Sequence, residues 1–598
     1  MNNYGIDIWG NDNFIIENGV VKVNKANKPS LISLVKEIRS QDYKGPLLLR
    51  FPHLTQGQID KLYTLYDNAI TENNYQGSFN AVFPLKVNQL PNFLIPLINL
   101  GKKYNYGLEA GSKAELFLAM TYNKIGAPIT VNGFKDKEMI HLCFIAKQMG
   151  HDITVIIEGI NELETIIALE KETSLPTPNI GIRVRLFNQG SGAWAKSGGI
   201  DSKFGLSSTE ILEAFEMLEK NNLCEYLTMI HFHIGSAMKS IKPLKNALKE
   251  SGHIYAELKN LGATHLNAIN IGGGLAVEYS QFQRTAQYHL QEFANDVIFT
   301  LKNIAKQKGV DEPNIFTESG RFIAANSSVL ITPVLELFSA EYEAEHLRLK
   351  EHNPPLIVEL NELYNDMNSR TALEYMHDSI DHLESLLKLF DLGYIDLEDR
   401  SNAEILTNLI IKKAIWLLEV DDYEELQKID NKIQEKYLLN FSIFQSLPDF
   451  WGIKQEFPVM PITHLDKKPT RSASLWDITC DSDGEMEFDP KEPLYLHDVN
   501  LKKEEYYLGF FNVGAYQDIL GMRHNLFSHP TEINIIFEND TVKCEKILES
   551  QKIIDILEDI DYDTNEIKDI LKNKLDDNTY KILNRYLHDN SYLKTTWS

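Results

Sequence analysis

Between about residues 78 and 325 the chain alternates short apolar runs rich in Val, Ile and Phe with longer stretches of helical period, and that alternation leaves few folds open. Such runs suit strands of a parallel sheet covered by helices, where both faces are buried. Eight of them can be placed, at 79–85, 106–109, 129–131, 153–158, 180–186, 229–233, 269–271 and 315–318. Helical stretches fall between them, as at 91–104, 112–120, 208–218 and 285–306. Eight βα units in about 250 residues predict a closed (β/α)8 barrel rather than an open sheet. A ninth run at 47–51 is one strand too many and is assigned to a flanking element.

The remainder is longer than one core can organise. At 598 residues the chain predicts about three to five units at roughly 100–200 residues each. Asn18-Gly19 between the apolar runs 14–16 and 20–23 signals a hairpin, so the chain starts as β structure. Short β-like runs follow the barrel at 329–333 and 356–360, and then residues 366–437 show helical periodicity with almost no Gly or Pro. Strand candidates return from 441 to about 537, and 544–592 reads as helical and lysine-rich. The predicted division is 1–75 as the first part of a β domain and lead-in, 76–335 as the barrel, 336–365 as a β-domain segment, 366–440 as a helical insertion, 441–540 as the C-terminal β domain and 541–598 as a helical extension. The fold class is α/β: a (β/α)8 barrel plus a β domain formed from N-terminal and C-terminal segments.

Charge narrows the partners. With 59 Lys and Arg against 85 Asp and Glu, the formal net charge of −26 repels phosphate backbones and anionic lipid heads, which argues against nucleic-acid and membrane partners. The four cysteines, Cys143, Cys224, Cys480 and Cys544, form no CxxC pair, so neither a disulfide framework nor a structural zinc site is expected. The first residues lack the basic end and apolar run of a signal peptide, and no stretch of eighteen apolar residues occurs; a reducing, cytoplasmic location is expected.

In barrels the working residues lie at the C-terminal ends of strands, and phosphate groups commonly sit after the seventh and eighth. After the seventh run comes Gly272-Gly273-Gly274, and after the eighth Glu318-Ser319-Gly320-Arg321. The glycines let backbone N–H groups approach an anion, and the arginine adds a bidentate partner. A sharp strand-to-helix turn needs glycine too, so it is the position beside Arg321 that gives the triplet weight. At the end of the first run, Lys86 sits among apolar neighbours, where an amine sheds its charge more readily and can form an imine. A phosphate anchor facing an imine-forming lysine is what pyridoxal phosphate requires. His231 and His233 lie two apart on the sixth run and would share a face toward the barrel interior, with His233 nearer the strand end. Glu318 would be a costly buried carboxylate unless it meets a cation or a protonated ring nitrogen.

Lys86 in FPLKVNQ, HFHIGS at 231–236, IGGGLAV at 271–277, ESGR at 318–321, CDSDG at 480–484 and VGAYQD at 513–518 together resemble, in order and spacing, the motifs of the group III pyridoxal-phosphate decarboxylases of alanine-racemase-like fold. The runs at 441–462 and 475–484, with the helical insertion, resemble the biosynthetic arginine decarboxylases within that group. The resemblance implies that Lys86 holds the cofactor, that Glu318 pairs with its pyridine nitrogen and that His233 stacks on its ring. It implies a phosphate site of Ser236, Gly272, Gly273, Gly274, Gly320, Arg321 and Tyr516, with Glu109 and Arg185 near the ring. Ser319 stands where relatives in the wider group often have proline. The resemblance also implies decarboxylation of L-arginine to agmatine for polyamine synthesis, a requirement for magnesium at no assigned residues, and a homodimer or higher homo-oligomer in which Cys480, Asp481 and Asp483 enter the neighbouring subunit's site.

CDSDG has a reading of its own. Two carboxylates beside the thiol disfavour a thiolate, but a protonated Cys480 can donate its proton. On an extended segment Asp481 and Asp483 would point the same way and could converge on a guanidinium. A calcium loop would need a later bidentate glutamate that this spacing lacks. The alternatives left open are a decarboxylase of ornithine, lysine or diaminopimelate, since only the distal pocket would differ, and a catalytically inactive regulatory relative.

Overall fold

The computed structural model describes residues 3–25, 27–187, 203–338, 344–418, 434–489, 492–538 and 541–594. All eight apolar runs become parallel strands of one closed barrel, at Phe79–Pro84, Gly107–Ala110, Pro128–Val131, Asp152–Ile157, Asn179–Arg183, Leu227–His231, Ala268–Asn270 and Asn314–Thr317. The last strand closes on the first in parallel, with Ile315 opposite Phe79 and Thr317 opposite Ala81. Strand interiors such as Ile129, Val131, Val155, Ile180 and Ile182 are wholly buried. This is the burial on both faces that makes the runs readable. Helices between the strands start at side-chain caps: Ser112 accepts the Glu115 N–H, and Ser207 forms a capping box with Glu210.

The ninth run, Leu47–Arg50, lies outside the barrel, as expected. It runs parallel to Thr531–Glu538 and antiparallel to Ser328–Phe338 in a ten-stranded sheet built from both ends of the chain. The hairpin Phe14–Glu17 and Val20–Val23 forms its own two-stranded sheet, with Glu17 opposite Val20. It leans on the C-terminal segment through the Val21 N–H to the Ile462 carbonyl. Nearby, the rings of Trp9 and Phe511 pack at a tilt with centres 4.6 Å apart in the core.

Two expectations are corrected. The run at 356–360 is not a strand but part of the helix Pro355–Asp366, which packs with Ala372–Asp391 and Leu397–Leu417 around a separate core of Ile357, Leu360, Met376, Leu406 and Ile410. Pro355 opens that helix where no N–H is needed, and a five-residue apolar run reads alike in strand and helix. The predicted C-terminal helical extension does not start near 541: Thr541–Leu548, which carries Cys544, is a strand antiparallel to Thr531–Glu538. Its charged Lys543, Glu545 and Lys546 mark an exposed edge strand rather than a helix. Helices begin at Ile553. The part of the predicted helical insertion at 419–433 lies outside the described residues, among which no helix is long and apolar enough to cross a membrane.

Candidate functional site

The barrel's C-terminal rim gathers an ionised cluster. Lys86 lies in the 3-10 turn Leu85–Val87 directly after the first strand, with its side chain 57% exposed in the open mouth and Nζ 3.6 Å from Glu109 Oε2. The Glu109 carboxylate, helped by Glu318, holds the Lys86 amine above its ordinary range against the effect of burial. This corrects the expectation of a lysine uncharged by apolar surroundings, because carboxylates and not hydrocarbon face its amine. Glu109 is buried at the end of the second strand, and among the described residues neither of its oxygens has a hydrogen-bond partner. Burial pushes its carboxyl up to about 7 against the pull of Lys86, and the charge on Glu318 adds to the rise.

Glu318 follows the eighth strand and is treated differently by its surroundings. Burial alone would raise it, but His231, Lys86 and Asn132 outweigh burial and hold it well below the usual carboxylate range. Its Oε1 accepts hydrogen bonds from Asn132 Nδ2 at 3.0 Å and Asn270 Nδ2 at 2.8 Å, with His231 Nε2 at 3.4 Å. His231 and His233 divide their tasks: the strand ends at His231 beside Glu318, and His233 lies beyond it on the rim. His233 Nδ1 accepts the Gly273 N–H at 3.2 Å, which places the proton of the neutral ring on Nε2. Burial, then Arg183 and Lys86, push His233 down to about 3.

Opposite lies a cradle of backbone and one guanidinium. Gly272 and Gly274 adopt φ of +67° and +126°, and a Cβ on Gly273 would stand 2.7 Å from the Glu318 carbonyl oxygen, so side chains are shut out along the triplet. Arg321 is buried there, with Nε donating to Ser236 Oγ at 3.3 Å and its guanidinium carbon 4.6 Å from the centre of the Tyr516 ring. Gly320 has a packing duty: a Cβ would come within 2.6 Å of Pro84 and Val87. Tyr516 arrives from the second sheet and donates its N–H to the Val87 carbonyl at 2.8 Å.

Arg185 stands apart from this cluster. It follows the end of the fifth strand and spends Nε and Nη2 on the Gly205 carbonyl, at 3.1 and 2.7 Å. The arginine whose charge reaches Lys86 and His233 is Arg183, the last residue of that strand, held by Glu158 at 3.0 Å. Asn132 and Asn270 belong to no motif recognised in the sequence, and Arg183 lies two residues before the Arg185 to which the resemblance points. Their places at strand C-terminal ends were the available signal.

The loop at 480–484 is built separately. Every described hydrogen-bond partner of Cys480, Asp481 and Asp483 lies beyond the barrel, and Cys480 is exposed. Asn525 accepts the Cys480 N–H at 3.1 Å, and its amide nitrogen is 3.4 Å from Sγ. The loop is not extended: Ser482–Gly484 is a 3-10 turn whose Asp483 N–H is accepted by Asp481. The two carboxylates therefore diverge, Asp481 to His524 Nε2 at 3.3 Å and Asp483 to Trp451 Nε1 at 3.1 Å. Asp477 braces the turn, accepting from Ile443 and Thr479.

These groups fit pyridoxal phosphate: a side-chain-free cradle with an arginine for an anion, an ionised buried carboxylate for a ring nitrogen, and a lysine 3.6 Å from a carboxylate that has no hydrogen-bond donor among the described residues. For magnesium the structure assigns no residues: among the described residues there is no group of three His, Cys, Asp or Glu that could hold a metal ion.

A family model described as "Pyridoxal-dependent decarboxylase, pyridoxal binding domain" matches residues 57–325, which sets the class to which the barrel and its mouth belong. A second, "Arginine decarboxylase helical bundle domain", matches residues 350–430. A biosynthetic arginine decarboxylase of a Geobacter species is 39% identical over 96% of this chain and 93% of its own, and one from Phocaeicola vulgatus 38% identical over 94% and 92%. The crystal structure of the biosynthetic arginine decarboxylase from Campylobacter jejuni superposes with a TM-score of 0.93 at 58% identity, covering all of both chains. This chain belongs to the biosynthetic arginine decarboxylase family. The structure of a diaminopimelate decarboxylase from M. jannaschii, at 19% identity and a TM-score of 0.62, shares the fold.

Proposed function

We propose that the chain decarboxylates L-arginine to agmatine and carbon dioxide with pyridoxal phosphate, in the cytoplasm and in the service of polyamine synthesis. The observation that carries this reading is Lys86 set between Glu109 and Glu318 at the mouth of a barrel whose opposite rim is an anion cradle. That all four cysteines are free agrees with a reducing compartment.

When bound, pyridoxal phosphate supplies an electron sink for the pair left behind as carbon dioxide departs. The chain does the rest. Gly272, Gly273, Gly274, Ser236, Gly320, Arg321 and Tyr516 hold the phosphate end. Glu318, kept ionised by its neighbours, holds a proton on the ring nitrogen. His233, neutral and flat, offers a stacking face without adding a positive charge. Lys86 must lose a proton to act as a nucleophile, and Glu109 Oε2 is the acceptor within reach. Cys480 Sγ, a thiol beside two carboxylates, returns a proton to the substrate's α carbon, and Asp483 meets the guanidinium. Because the 480–484 loop faces solvent in its own chain, it serves the mouth of a second subunit, so the working unit is at least a homodimer.

Carbon dioxide release measured across arginine, ornithine, lysine and diaminopimelate tests this reading. Arginine turns over fastest. Comparable or faster release from any of the others overturns the substrate assignment and leaves the cofactor chemistry standing.

A further inference from the structure

Beneath the mouth, a buried guanidinium ties the second sheet to the two loops that reach the cofactor region. Arg50, on the strand Leu47–Arg50, donates Nε to Glu532 Oε2 at 2.9 Å, Nη1 to Ser328 Oγ at 3.1 Å and Nη2 to Asp518 Oδ2 at 2.8 Å. Asp518 Oδ2 also accepts Asn88 Nδ2 at 2.8 Å. Asn88 lies two residues after Lys86, and its N–H closes the turn that carries the lysine by bonding the Leu85 carbonyl. Its amide reaches the Gly514 carbonyl as well, at 3.2 Å. Asp518 in turn lies two residues after Tyr516, which sits at φ +71°, a conformation a tyrosine does not adopt without support.

We propose that Asp518 is a positioning residue for cofactor binding: anchored by Arg50 and joined to Asn88, it locks the Tyr516 loop against the Lys86 loop so that the phosphate end and the imine end of the site keep one spacing. Without that link, the loop at 514–518 can relax its left-handed residue, and the Tyr516 ring leaves the Arg321 guanidinium it covers. The inference rests on the pyridoxal phosphate reading above.

Glu532 provides a matched control. Asp518 and Glu532 are the two carboxylates on one buried guanidinium, so removing either still leaves Arg50 a charged partner and avoids an unpaired buried cation. Glu532 accepts Asn92 Nδ2 at 2.8 Å on the following helix, and of the two only Asp518 bonds the Lys86 loop itself, through Asn88. Wild type, Asp518→Asn, Asn88→Ala and Glu532→Gln are stripped of cofactor, compared by circular dichroism and melting, and titrated with pyridoxal phosphate by absorbance. The dissociation constant rises about tenfold or more in Asp518→Asn and Asn88→Ala, and stays within about twofold of wild type in Glu532→Gln. At saturating cofactor, kcat in Asp518→Asn returns to within about threefold of wild type, because the reacting groups are untouched. Asn88→Ala cuts the same link from its other end and decides the matter should Asp518→Asn fail to fold. Unchanged affinity in whichever of these two variants folds overturns the proposal, as does an equal loss in Glu532→Gln. A wild-type chain with no borohydride-sensitive absorbance overturns the parent reading and this inference with it, a result distinct from a wild type that binds normally beside an unaffected variant.

Discussion

The barrel mouth and the loop at 480–484 are built in opposite ways. At the mouth, carboxylates are buried and tuned apart: Glu318 is held ionised by His231, Lys86 and two asparagines, and Glu109 is left without a hydrogen-bond donor. The loop keeps its thiol exposed and its carboxylates on Trp451 and His524, with a buried Asp477 setting its shape. A cofactor site has to be rigid before its ligand arrives. A group delivered to another subunit has to present itself at a surface. The difference is what the proposed sharing requires: a cofactor mouth built within one chain and a surface loop free to serve a second.

The first way to break this comparison has the largest effect. Lys86→Ala lowers kcat for arginine by about ten-thousandfold or more, since no other described lysine reaches the cluster, and it abolishes borohydride-sensitive absorbance. The side chain stands half open to solvent, so the melting temperature of the stripped protein stays close to wild type. Retained turnover and retained absorbance would sink the assignment of Lys86.

Asp483 tests the loop. Asp483→Asn lowers kcat/KM for arginine by about tenfold to a thousandfold, the range of a charged hydrogen bond lost from a closed site. Cofactor absorbance is unchanged. Trp451 already bonds one oxygen of Asp483, so Trp451→Phe, which frees the carboxylate to swing, moves kcat/KM in the same direction by less. Kinetics within about a factor of two of wild type for Asp483→Asn would leave the guanidinium without this partner.

A smaller effect asks whether the two regions meet across subunits. Lys86→Ala and Cys480→Ala chains are each inactive alone. When they are mixed and allowed to exchange, about half the dimers are mixed and one site in each of those carries both groups, so activity returns to about a quarter of wild type. No recovery, with subunit exchange confirmed by tagged chains, contradicts sharing.

The same contrast explains what was legible in the sequence. Barrel strands are continuous apolar runs because both faces are buried, and all eight were found to within a few residues. Lys86, Glu318 and Arg321 were legible through their places at strand ends. The helix at 355–366 was read as a strand because its apolar run is too short to show a period, and the lysine-rich edge strand at 541–548 because exposed strands carry charge as helices do. Arg185 rests on the resemblance alone, and the strand expected to run to 186 ends at Arg183. The Trp451 contact and the Arg50 hub join residues 32 to 482 positions apart, and nothing local in the chain announces such pairings.

The finest test lies in the Glu109 carboxyl, which among the described residues has no hydrogen-bond donor and faces Lys86 Nζ at 3.6 Å. Buried, it is pushed from the ordinary value of 4.5 up to about 7. Between those values the folded chain holds a proton that the unfolded chain has released, so this group's contribution to stability is present below about pH 4.5 and is lost as pH rises toward 7. Glu318 acts in the other direction and at lower pH, because its depressed carboxyl costs stability only as pH falls below the ordinary carboxylate range. His233, pushed down to about 3, adds a slope of the opposite sign to that of Glu109, but it is common to both proteins and cancels in their difference. Glu109→Gln cannot titrate. The melting temperature of the cofactor-free variant minus that of the cofactor-free wild type therefore climbs as pH is raised from 5 to 7 and then levels, by at most a few degrees, since a shift of this size is worth on the order of 3 kcal/mol. A difference that is flat with pH, or that falls, would mean that Glu109 is paired and ionised at the mouth throughout, and the mouth would then share the fully satisfied character now assigned to Glu318 alone.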